Sequence, residues 1–199
     1  LRGKGKNTPY ESFKRLEDIN KFGKINEVLT KGDELLIQIV KEPISTKGPR
    51  VTTELSLAGR FLILVSFSDA INISKKITNR EERVRMINLI KSIKPKNFGV
   101  IVRTVAENKS VSELDKDLKS LISSWKEGIK KIKKAKVGEK VLGEENRTTS
   151  LLRDILNSSF DNIIIDEKKL FTEVKEYVKK YEPKKEKIVK FYSSPAPIF

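Results

Sequence analysis

The sequence contains neither cysteine nor histidine among its 199 residues. Without cysteine the chain can form no disulfide and no thiolate metal site. Without histidine it lacks the commonest general base, the Ser-His and Cys-His nucleophile pairs, and the usual zinc ligands. Any catalysis within this chain would therefore depend on carboxylate, lysine or tyrosine side chains.

Long apolar runs and a signal sequence are also missing. No stretch approaches the roughly 20 apolar residues that a membrane-spanning helix needs. The first residues are rich in Lys and Gly, without an initiator methionine or the apolar core of a signal peptide. We therefore expect a cytoplasmic protein with no membrane span. The start of the chain, and a Pro-rich tail at residues 195–199, predict that it is a piece of a longer polypeptide.

Converging carboxylates are scarce, and no phosphate-cradling glycine loop, dinucleotide fingerprint or internal repeat is present. Asp115 and Asp117 alternate with lysines along a predicted helix face, which predicts ordinary pairing with Lys. Asp166, at a strand end, is the best placed candidate metal ligand, but a helix N-cap is its more ordinary role. One carboxylate does not make a two-metal phosphodiesterase site. The sequence therefore predicts a chain that binds phosphate without cleaving it.

Positive charge is what the sequence has in excess. It carries 42 Lys and Arg against 27 Asp and Glu, a formal net charge of +15. Such an excess favours a polyanionic partner through counterion release, and nucleic acid is the usual one. An anionic membrane is the alternative, but no helix pairs a basic face with a strongly aromatic one. A lysine-rich proteome would also produce this charge without any polyanionic partner.

Residues 99–102 read as a short buried strand that is followed at once by Arg103 and Thr104. Three of the four strand residues are β-branched, which favours a strand. An arginine guanidinium offers a planar fork of donors that fits a phosphate, and a threonine hydroxyl adds a short hydrogen bond. The pair predicts a phosphate-binding position, and an arginine in a surface ion pair is the alternative.

Before this strand the sequence predicts four more strands and a basic arm. Residues 1–30 form the arm, with one short helical turn. Residues 35–40 and 51–57 are predicted to form a hairpin with a basic tip, because the intervening segment contains Pro and Gly turn residues. Such a hairpin suits an OB-type barrel, whose loops contact single strands. Residues 60–65 and 71–74 are further predicted strands.

Helices are predicted from capping signatures and apolar spacing. A capping box at residues 78–81 opens a helix that ends near residue 93, with Val84, Ile87 and Ile90 facing inward. Ser110 opens a second and longer helix, whose other face is rich in Lys and is predicted to be solvated. The apolar residues predicted on its inner face are Leu114, Leu118, Leu121, Ile122, Trp125, Ile129 and Ile132.

The last part of the chain predicts a helix, a strand, a helix and a strand. Residues 162–166 and 187–192 are the strands. The first helix, from about residue 148, is predicted to bury Leu151, Leu152, Ile155 and Leu156. The second is predicted to bury Leu170, Val174, Tyr177, Val178 and Tyr181.

With these motifs in view, residues 32–199 resemble the N-terminal half of a bacterial RNase E/G-type endoribonuclease. The most similar form is the lysine-rich ribonuclease G branch of Bacteroidetes. The densest matches are residues 40–59, 99–104, 142–144 and 188–199, in the same order along the chain.

The resemblance implies an α+β fold in three parts. Residues 1–57 would be the end of an OB-fold RNA-binding barrel with a basic N-terminal loop. Residues 58–147 would be an α/β 5′-sensor domain. Residues 148–199 would be part of an RNase H-like subdomain without a nuclease site of its own.

The resemblance also implies a site for the 5′-monophosphate of RNA. In the family the matching Arg-Thr pair contacts the phosphate, so this role comes to Arg103 and Thr104. Gly59 and Ile63 would lie beneath the terminal nucleotide, and the missing side chain at Gly59 would allow close approach of the base or the backbone. The family usually has Val at the position of Ile63, a change that keeps the packing role.

Three lysines are further RNA-binding positions that the resemblance implies. Lys47, in the hairpin tip, matches a lysine that contacts RNA in the OB-fold. Relatives carry Arg-Arg where this chain has Lys75 and Lys76, which keep the charge but lose the guanidinium fork.

The resemblance also implies that the catalytic part of the family lies outside this chain. Magnesium-binding aspartates and a cysteine-rich zinc link between protomers would follow beyond this chain, so no cofactor is expected within it. The parent would be a homo-oligomeric, dimeric or tetrameric, single-strand-specific endoribonuclease for RNA processing and decay, and this piece alone would be inactive. Two alternatives stay open: a non-catalytic RNA- or ribosome-binding module acting through lysine-rich surfaces, and a protein-interaction fragment.

Overall fold

The computed structural model describes residues 22–132, 134–143, 147–156 and 160–197. The chain divides into two compact units, Leu1–Val141 and Leu142–Phe199. Both combine helices with short strands, which confirms the predicted α+β class. Most of the predicted N-terminal arm lies outside the described residues, and its described end contains one 3-10 turn at Ile25–Glu27.

A two-stranded hairpin opens the first unit. Strands β1 (Gln38–Lys41) and β2 (Arg50–Thr52) pair antiparallel, as the sequence predicts. At its tip the backbones of Ile44 and Lys47 exchange hydrogen bonds of 3.1 and 3.0 Å, with Ser45 between them at φ 51°. The membership of this hairpin in an OB-fold stays a prediction.

The predicted strand at residues 51–57 is wrong as one element. The chain turns after Thr52, whose hydroxyl accepts the N–H of Glu54 at 3.1 Å. A separate strand, β3 (Ser56–Ala58), then begins in a different sheet. The side-chain amide of Gln38 bonds both backbone groups of Ser56, at 2.8 and 3.1 Å, and so links the hairpin to that sheet.

The main sheet of the first unit has the strand order β3-β4-β6-β5. Its other members are β4 (Leu62–Ser66), β5 (Ile71–Ile73) and β6 (Phe98–Val102). Strand β6 lies between antiparallel β4 and parallel β5. Helix α1 (Arg80–Ile93) is the crossover that parallel pairing of β5 and β6 requires.

A single hydrophobic core packs one face of this sheet against α1 and the long helix α2 (Val111–Ile132). Alternate residues of each strand point into it, as the pleat of a strand demands. Trp125 of α2 lies edge-on to Phe98 and Phe67, with ring centroids 5.7 and 6.1 Å away. Fully buried members of this core are Leu62, Leu64, Ile77, Met86, Ile90, Val100, Val102, Leu114 and Leu118.

The inner face of α1 differs from the prediction. Val84 is 52% exposed, whereas Met86, Leu89 and Ile90 are buried together with the carboxylate residue Glu82. At about 100° per residue, position 84 lies far around the helix from both 82 and 86. The helix is capped by Asn79, whose side chain accepts the N–H of Glu82 at 3.0 Å, so it starts one residue later than the capping-box reading.

The second unit consists of α3 (Arg147–Ile155), β7 (Ile163–Ile165), α4 (Lys168–Tyr181) and β8 (Val189–Phe191). Strands β7 and β8 are parallel, with α4 as their crossover. The buried residues of its core are Leu152, Leu156, Ile165, Val174, Tyr177, Val178 and Val189.

Three details of the second unit correct the sequence predictions. Leu151 is 56% exposed rather than buried. Asp166 does not cap α4, because the carboxylate of Glu167 accepts the N–H groups of Lys169 and Leu170 at 2.9 and 2.6 Å. A 3-10 turn at Pro183–Ile188 delays the last strand to Val189. Throughout the described ranges, no helix is long and apolar enough to cross a membrane.

A substitution at Gly99 would test how tightly the central strand β6 is packed. A Cβ there would lie 2.7 Å from Ser68 Oγ and 3.0 Å from the Ala70 carbonyl oxygen. Gly99→Ala should therefore destabilise the chain by about 1–3 kcal/mol through overpacking. Gly48→Ala is the matched control, because a Cβ at Gly48 has no atom within 4 Å. Chemical unfolding followed by circular dichroism measures both, and equal stabilities of the two variants would contradict the described packing.

Candidate functional site

The end of strand β6 brings together most of the residues that the sequence singles out. The N–H of Arg103 donates to the Phe61 carbonyl at 2.9 Å, which extends the β4–β6 pairing by one residue. Its guanidinium Nη1 donates to the Gly59 carbonyl, also at 2.9 Å. Both contacts hold the half-buried arginine against the turn between β3 and β4. Thr104 follows as the first residue of a 3-10 turn, Thr104–Ala106.

A buried carboxylate from α2 shapes the turn that receives Arg103. Asp117 is only 7% exposed. Its Oδ1 accepts the N–H of Arg60 at 3.2 Å, and its Oδ2 accepts those of Phe61 and Leu62 at 2.9 and 3.0 Å. A buried carboxylate is tolerated when hydrogen-bond donors surround it in this way. The prediction that Asp117 pairs with lysine is wrong.

Gly59 has a structural reason to lack a side chain. A Cβ at Gly59 would lie 2.6 and 2.9 Å from the carboxylate oxygens of Asp117, closer than real Cβ contacts. The carboxylate thus occupies the space beside this glycine on the protein side. The placement of Gly59 beneath a terminal nucleotide stays a prediction.

A helical pattern could have revealed Asp117. It falls on the apolar face of α2, with Leu114 three residues before it and Leu118 next to it. An acidic residue on a buried helical stripe indicates an internal partner. Its neighbour Asp115 lies off that stripe and pairs with Lys119 at 2.5 Å, as the sequence predicts.

The loop after β5 forms the second side of the site. The N–H of Ser74 donates to the Val102 carbonyl at 2.9 Å, and its Oγ lies 2.8 Å from Thr104 Oγ1. Lys75 and Lys76 follow directly and are exposed. The structure therefore places these two cationic residues in the segment that contacts Thr104.

Ile63 lies on the sheet face opposite the core. It pairs with Ala58 of β3 and with Ile101 of β6 and is half-buried, whereas its neighbours Leu62 and Leu64 point into the core. Lys47 belongs to a different element, the tip of the β1–β2 hairpin. It is exposed at the hairpin tip, and in the described part of the chain no hydrogen bond joins it to the end of β6.

Two neighbouring residues of α1 hold the loops on both sides of Arg103 and Thr104. Arg83 Nη1 donates to the carbonyls of Ser74 and Ile77, each at 3.0 Å. Glu82 accepts the N–H of Asn108 at 2.8 Å and a forked pair of bonds from Arg85 at 2.6 and 2.8 Å. Sequence reasoning missed both residues, because a charged first helical turn is ordinarily solvated.

The pKa of Glu82 is held below its usual range. The hydrogen bonds from Arg85 lower it most, burial opposes them, and the N–H of Asn108 lowers it further. Arg85 also donates from Nη2 to the Lys109 carbonyl at 3.0 Å. An ionised Glu82 therefore ties the segment after Thr104 to α1.

The described residues offer no evident metal-binding site. Within these ranges no three acidic residues lie close enough together to hold a metal ion, and the whole chain lacks Cys and His. The cluster at the end of β6 is cationic and rich in hydrogen-bond donors. Its chemistry suits the binding of an anion such as a phosphate.

Comparison with known proteins points to one family. The sequence model of the ribonuclease E/G family matches residues 56–199. The chain is 33% identical over 175 residues to ribonuclease G of Haemophilus influenzae, covering 88% of this chain and 36% of that protein. Ribonuclease G of Escherichia coli K12 is 28% identical over the same shares. Ribonuclease E of a Nostoc species is 30% identical over 157 residues, 79% of this chain and 23% of that protein.

Asp117 provides a test of how the site is built. Asp117→Asn keeps the shape but replaces one accepting oxygen with an N–H₂ group that faces a backbone N–H. We expect a loss of about 1–3 kcal/mol of stability from unsatisfied buried donors. Asp115→Asn is the matched control on the same helix, and loss of its surface pair should cost no more than about 0.5 kcal/mol. Equal losses of unfolding free energy in urea for the two variants would show that the hydrogen bonds of Asp117 contribute no more to stability than a surface ion pair.

Glu82 should make stability depend on pH. Because its pKa is lower in the folded chain than in the unfolded one, ionised Glu82 adds stability above about pH 4.3, the usual glutamate value. This contribution is lost as the pH falls through the lowered folded-state pKa. The difference in unfolding midpoint between wild type and Glu82→Gln should thus be large at pH 7 and shrink in acid.

Thermal unfolding at a series of pH values measures this difference. Glu81→Gln, on the exposed side of the same helical turn, is the control and should change the midpoint much less. A Glu82→Gln difference that stays constant from neutral to acid pH would contradict the role given to the carboxylate.

Proposed function

This chain belongs to the ribonuclease E/G family, and on that premise we propose that it is the RNA-binding, 5′-monophosphate-sensing part of an endoribonuclease. The resemblance read from the sequence is thereby confirmed at the level of the family. The chain spans about a third of the length of the ribonuclease G relatives that it matches. The activity of the whole protein is therefore part of the proposal: single-strand-specific cleavage in RNA processing and decay, for ribosomal RNA maturation or messenger turnover, in the cytoplasm.

The observation that carries this proposal is the fixed pair at the end of β6. Arg103 is held by the Gly59 carbonyl and Thr104 by the Ser74 hydroxyl, at 2.9 and 2.8 Å. Donors that are already placed before a ligand arrives lose less entropy on binding. A guanidinium beside a hydroxyl at such a place supports recognition of a phosphate.

Charge favours a terminal phosphate over an internal one. A phosphomonoester carries about −1.5 to −2 at pH 7, whereas each internal diester carries a single negative charge. Arg103 is joined by Lys75 and Lys76, which follow the residue that contacts Thr104. Cations on these neighbouring segments gain more from the doubly charged end of an RNA than from its backbone.

Apolar surface beside the cations supports the binding of the terminal nucleotide. Ile63 is half-buried on the open face of the sheet, in register with Ala58 and Ile101. Aliphatic side chains can make van der Waals contacts with the face of a nucleobase, and such contacts do not depend on hydrogen bonds to a particular base. Gly59 and Ile63 are proposed to lie beneath that nucleotide, and Lys47 to contact RNA at the hairpin tip.

A second candidate function is general polyanion binding. The exposed face of α2 and the turn after it carry Lys116, Lys119, Lys126, Lys130, Lys131 and Lys134. Such a face attracts RNA or a ribosome by counterion release, without regard to the 5′ end. A protein-interaction fragment, the third reading, would bind no RNA at moderate salt.

The cofactors that the family implies do not fit the residues of this chain. A cysteine-held zinc is impossible here, because the chain has no cysteine. Among the described residues, no acidic cluster suits catalytic magnesium. We propose that both sites, and the contacts of a dimeric or tetrameric parent, belong to segments that this chain does not include, and that the chain alone does not cleave RNA.

The proposal predicts a preference for RNA with a 5′-monophosphate. Two single-stranded RNAs that differ only in a 5′-phosphate or a 5′-hydroxyl should bind with affinities about tenfold or more apart, as a charge-assisted site provides. Arg103→Ala should remove this difference. Fluorescence anisotropy at about 50 and 200 mM salt measures it, since salt weakens the backbone contacts of both RNAs alike.

Lys130→Ala is the matched control, because it removes one positive charge from the exposed face of α2. It should weaken both RNAs slightly and leave their ratio unchanged. If both RNAs bind equally to wild type and only salt sets the affinity, the chain is a general polyanion binder and not a 5′ sensor.

A further inference from the structure

Both backbone groups of Ser74 are hydrogen-bonded within the fold. Its N–H donates to the Val102 carbonyl of β6 at 2.9 Å. Its carbonyl accepts the guanidinium of Arg83 at 3.0 Å and the N–H of Ile77 at 3.2 Å. Strand β6 and helix α1 therefore fix both backbone groups of Ser74, and the direction of its side chain with them.

The hydroxyl of Ser74 is paired with that of Thr104 at 2.8 Å. Two hydroxyls contribute two protons, and a bond between them uses only one. The Ser74 oxygen accepts a further N–H, from Lys76 at 3.3 Å, which uses no hydroxyl proton. The second O–H proton finds no protein acceptor among the described residues.

Two serines of the same unit, Ser66 and Ser92, show the contrast. The hydroxyl of Ser66 donates to the Leu55 carbonyl at 3.0 Å, and that of Ser92 donates to the Leu89 carbonyl at 2.7 Å. Their protons are used within the fold. The Ser74–Thr104 pair keeps one O–H donor available, and Thr104 directly follows Arg103 in the chain.

We propose that Ser74 is a specificity-determining residue of the phosphate site, acting with Thr104 as a two-hydroxyl unit that directs one O–H donor at the 5′-terminal phosphate. The inference rests on the proposed function, because it concerns the same ligand, and it adds a residue to which neither the sequence nor the family resemblance gave a role. An ionised phosphate oxygen accepts hydrogen bonds only, so the donor that remains is the group it requires.

Ser74 matters because a threonine hydroxyl rotates freely when it has no partner. Without Ser74, the Thr104 proton can turn toward water or toward a backbone carbonyl of its own turn. Binding a phosphate would then cost the entropy of fixing that rotor again. Removing either hydroxyl should thus damage the same interaction, and removing both should add little more.

A double-mutant cycle on the full chain tests this coupling. The measured quantity is the phosphate preference, the ratio of dissociation constants for the 5′-hydroxyl and 5′-phosphate RNAs. Ser74→Ala and Thr104→Val should each lower the preference about fivefold to tenfold. The double variant should lie within about twofold of the single ones, far from the product of their effects.

Two controls separate recognition from folding. Ser74→Thr keeps the hydroxyl and should retain most of the preference. Ser92→Ala removes a hydroxyl whose proton is used within α1, and it should leave the preference unchanged. Unfolding midpoints of all variants establish that each binding comparison is made between folded chains.

Three results would overturn the inference. If Ser74→Ala weakens both RNAs equally, the serine supports only the fold. If Ser74→Ala keeps the preference while Thr104→Val lowers it, Thr104 acts alone. If wild type shows no preference at all, the proposed function is wrong and the inference is wrong with it, an outcome that the wild-type chain reveals by itself.

Discussion

The buried carboxylate of Asp117 is the interaction on which the rest of the site depends. A charge inside a protein costs several kcal/mol unless donors satisfy it. Here three successive backbone N–H groups, from Arg60 to Leu62, supply those donors. Their convergence bends the chain between β3 and β4, presents the Gly59 carbonyl to Arg103, and excludes any side chain at Gly59. The core helix α2 thus sets where the arginine lies.

Helix α1 also holds the segments around Arg103 and Thr104. Its first turn holds the two segments that flank Arg103 and Thr104, through Arg83 on one side and Glu82 on the other. A site whose ligand-binding residues lie in connecting segments needs such support to keep them in place before the ligand arrives. Arg103 and Thr104 are only two residues, but the residues that hold their surroundings come from both α1 and α2.

Local sequence patterns predicted which helices and strands form more accurately than they predicted which helix faces are buried and where strands end. The apolar spacing of α2 placed Leu114, Leu118 and Trp125 correctly in the core, because a buried stripe repeats at the helical period. The same reasoning failed for Val84, since the inward face of α1 includes the charged residue Glu82. The single strand predicted at residues 51–57 failed because a turn after Thr52 sends its two halves into different sheets.

The sequence by itself determined the strand that Arg103 and Thr104 follow, the excess of positive charge, and the family. Each of these depends on composition or on residues that are close together in the sequence. Only the tertiary structure decided the hydrogen-bond partners of Asp117 and Ser74. Asp117 bonds Arg60 across 57 residues, and Ser74 bonds Thr104 across 30. The helical pattern indicates that Asp117 is buried, but no sequence pattern names the partner in either hydrogen bond, because the partners become neighbours only when the sheet and helices pack.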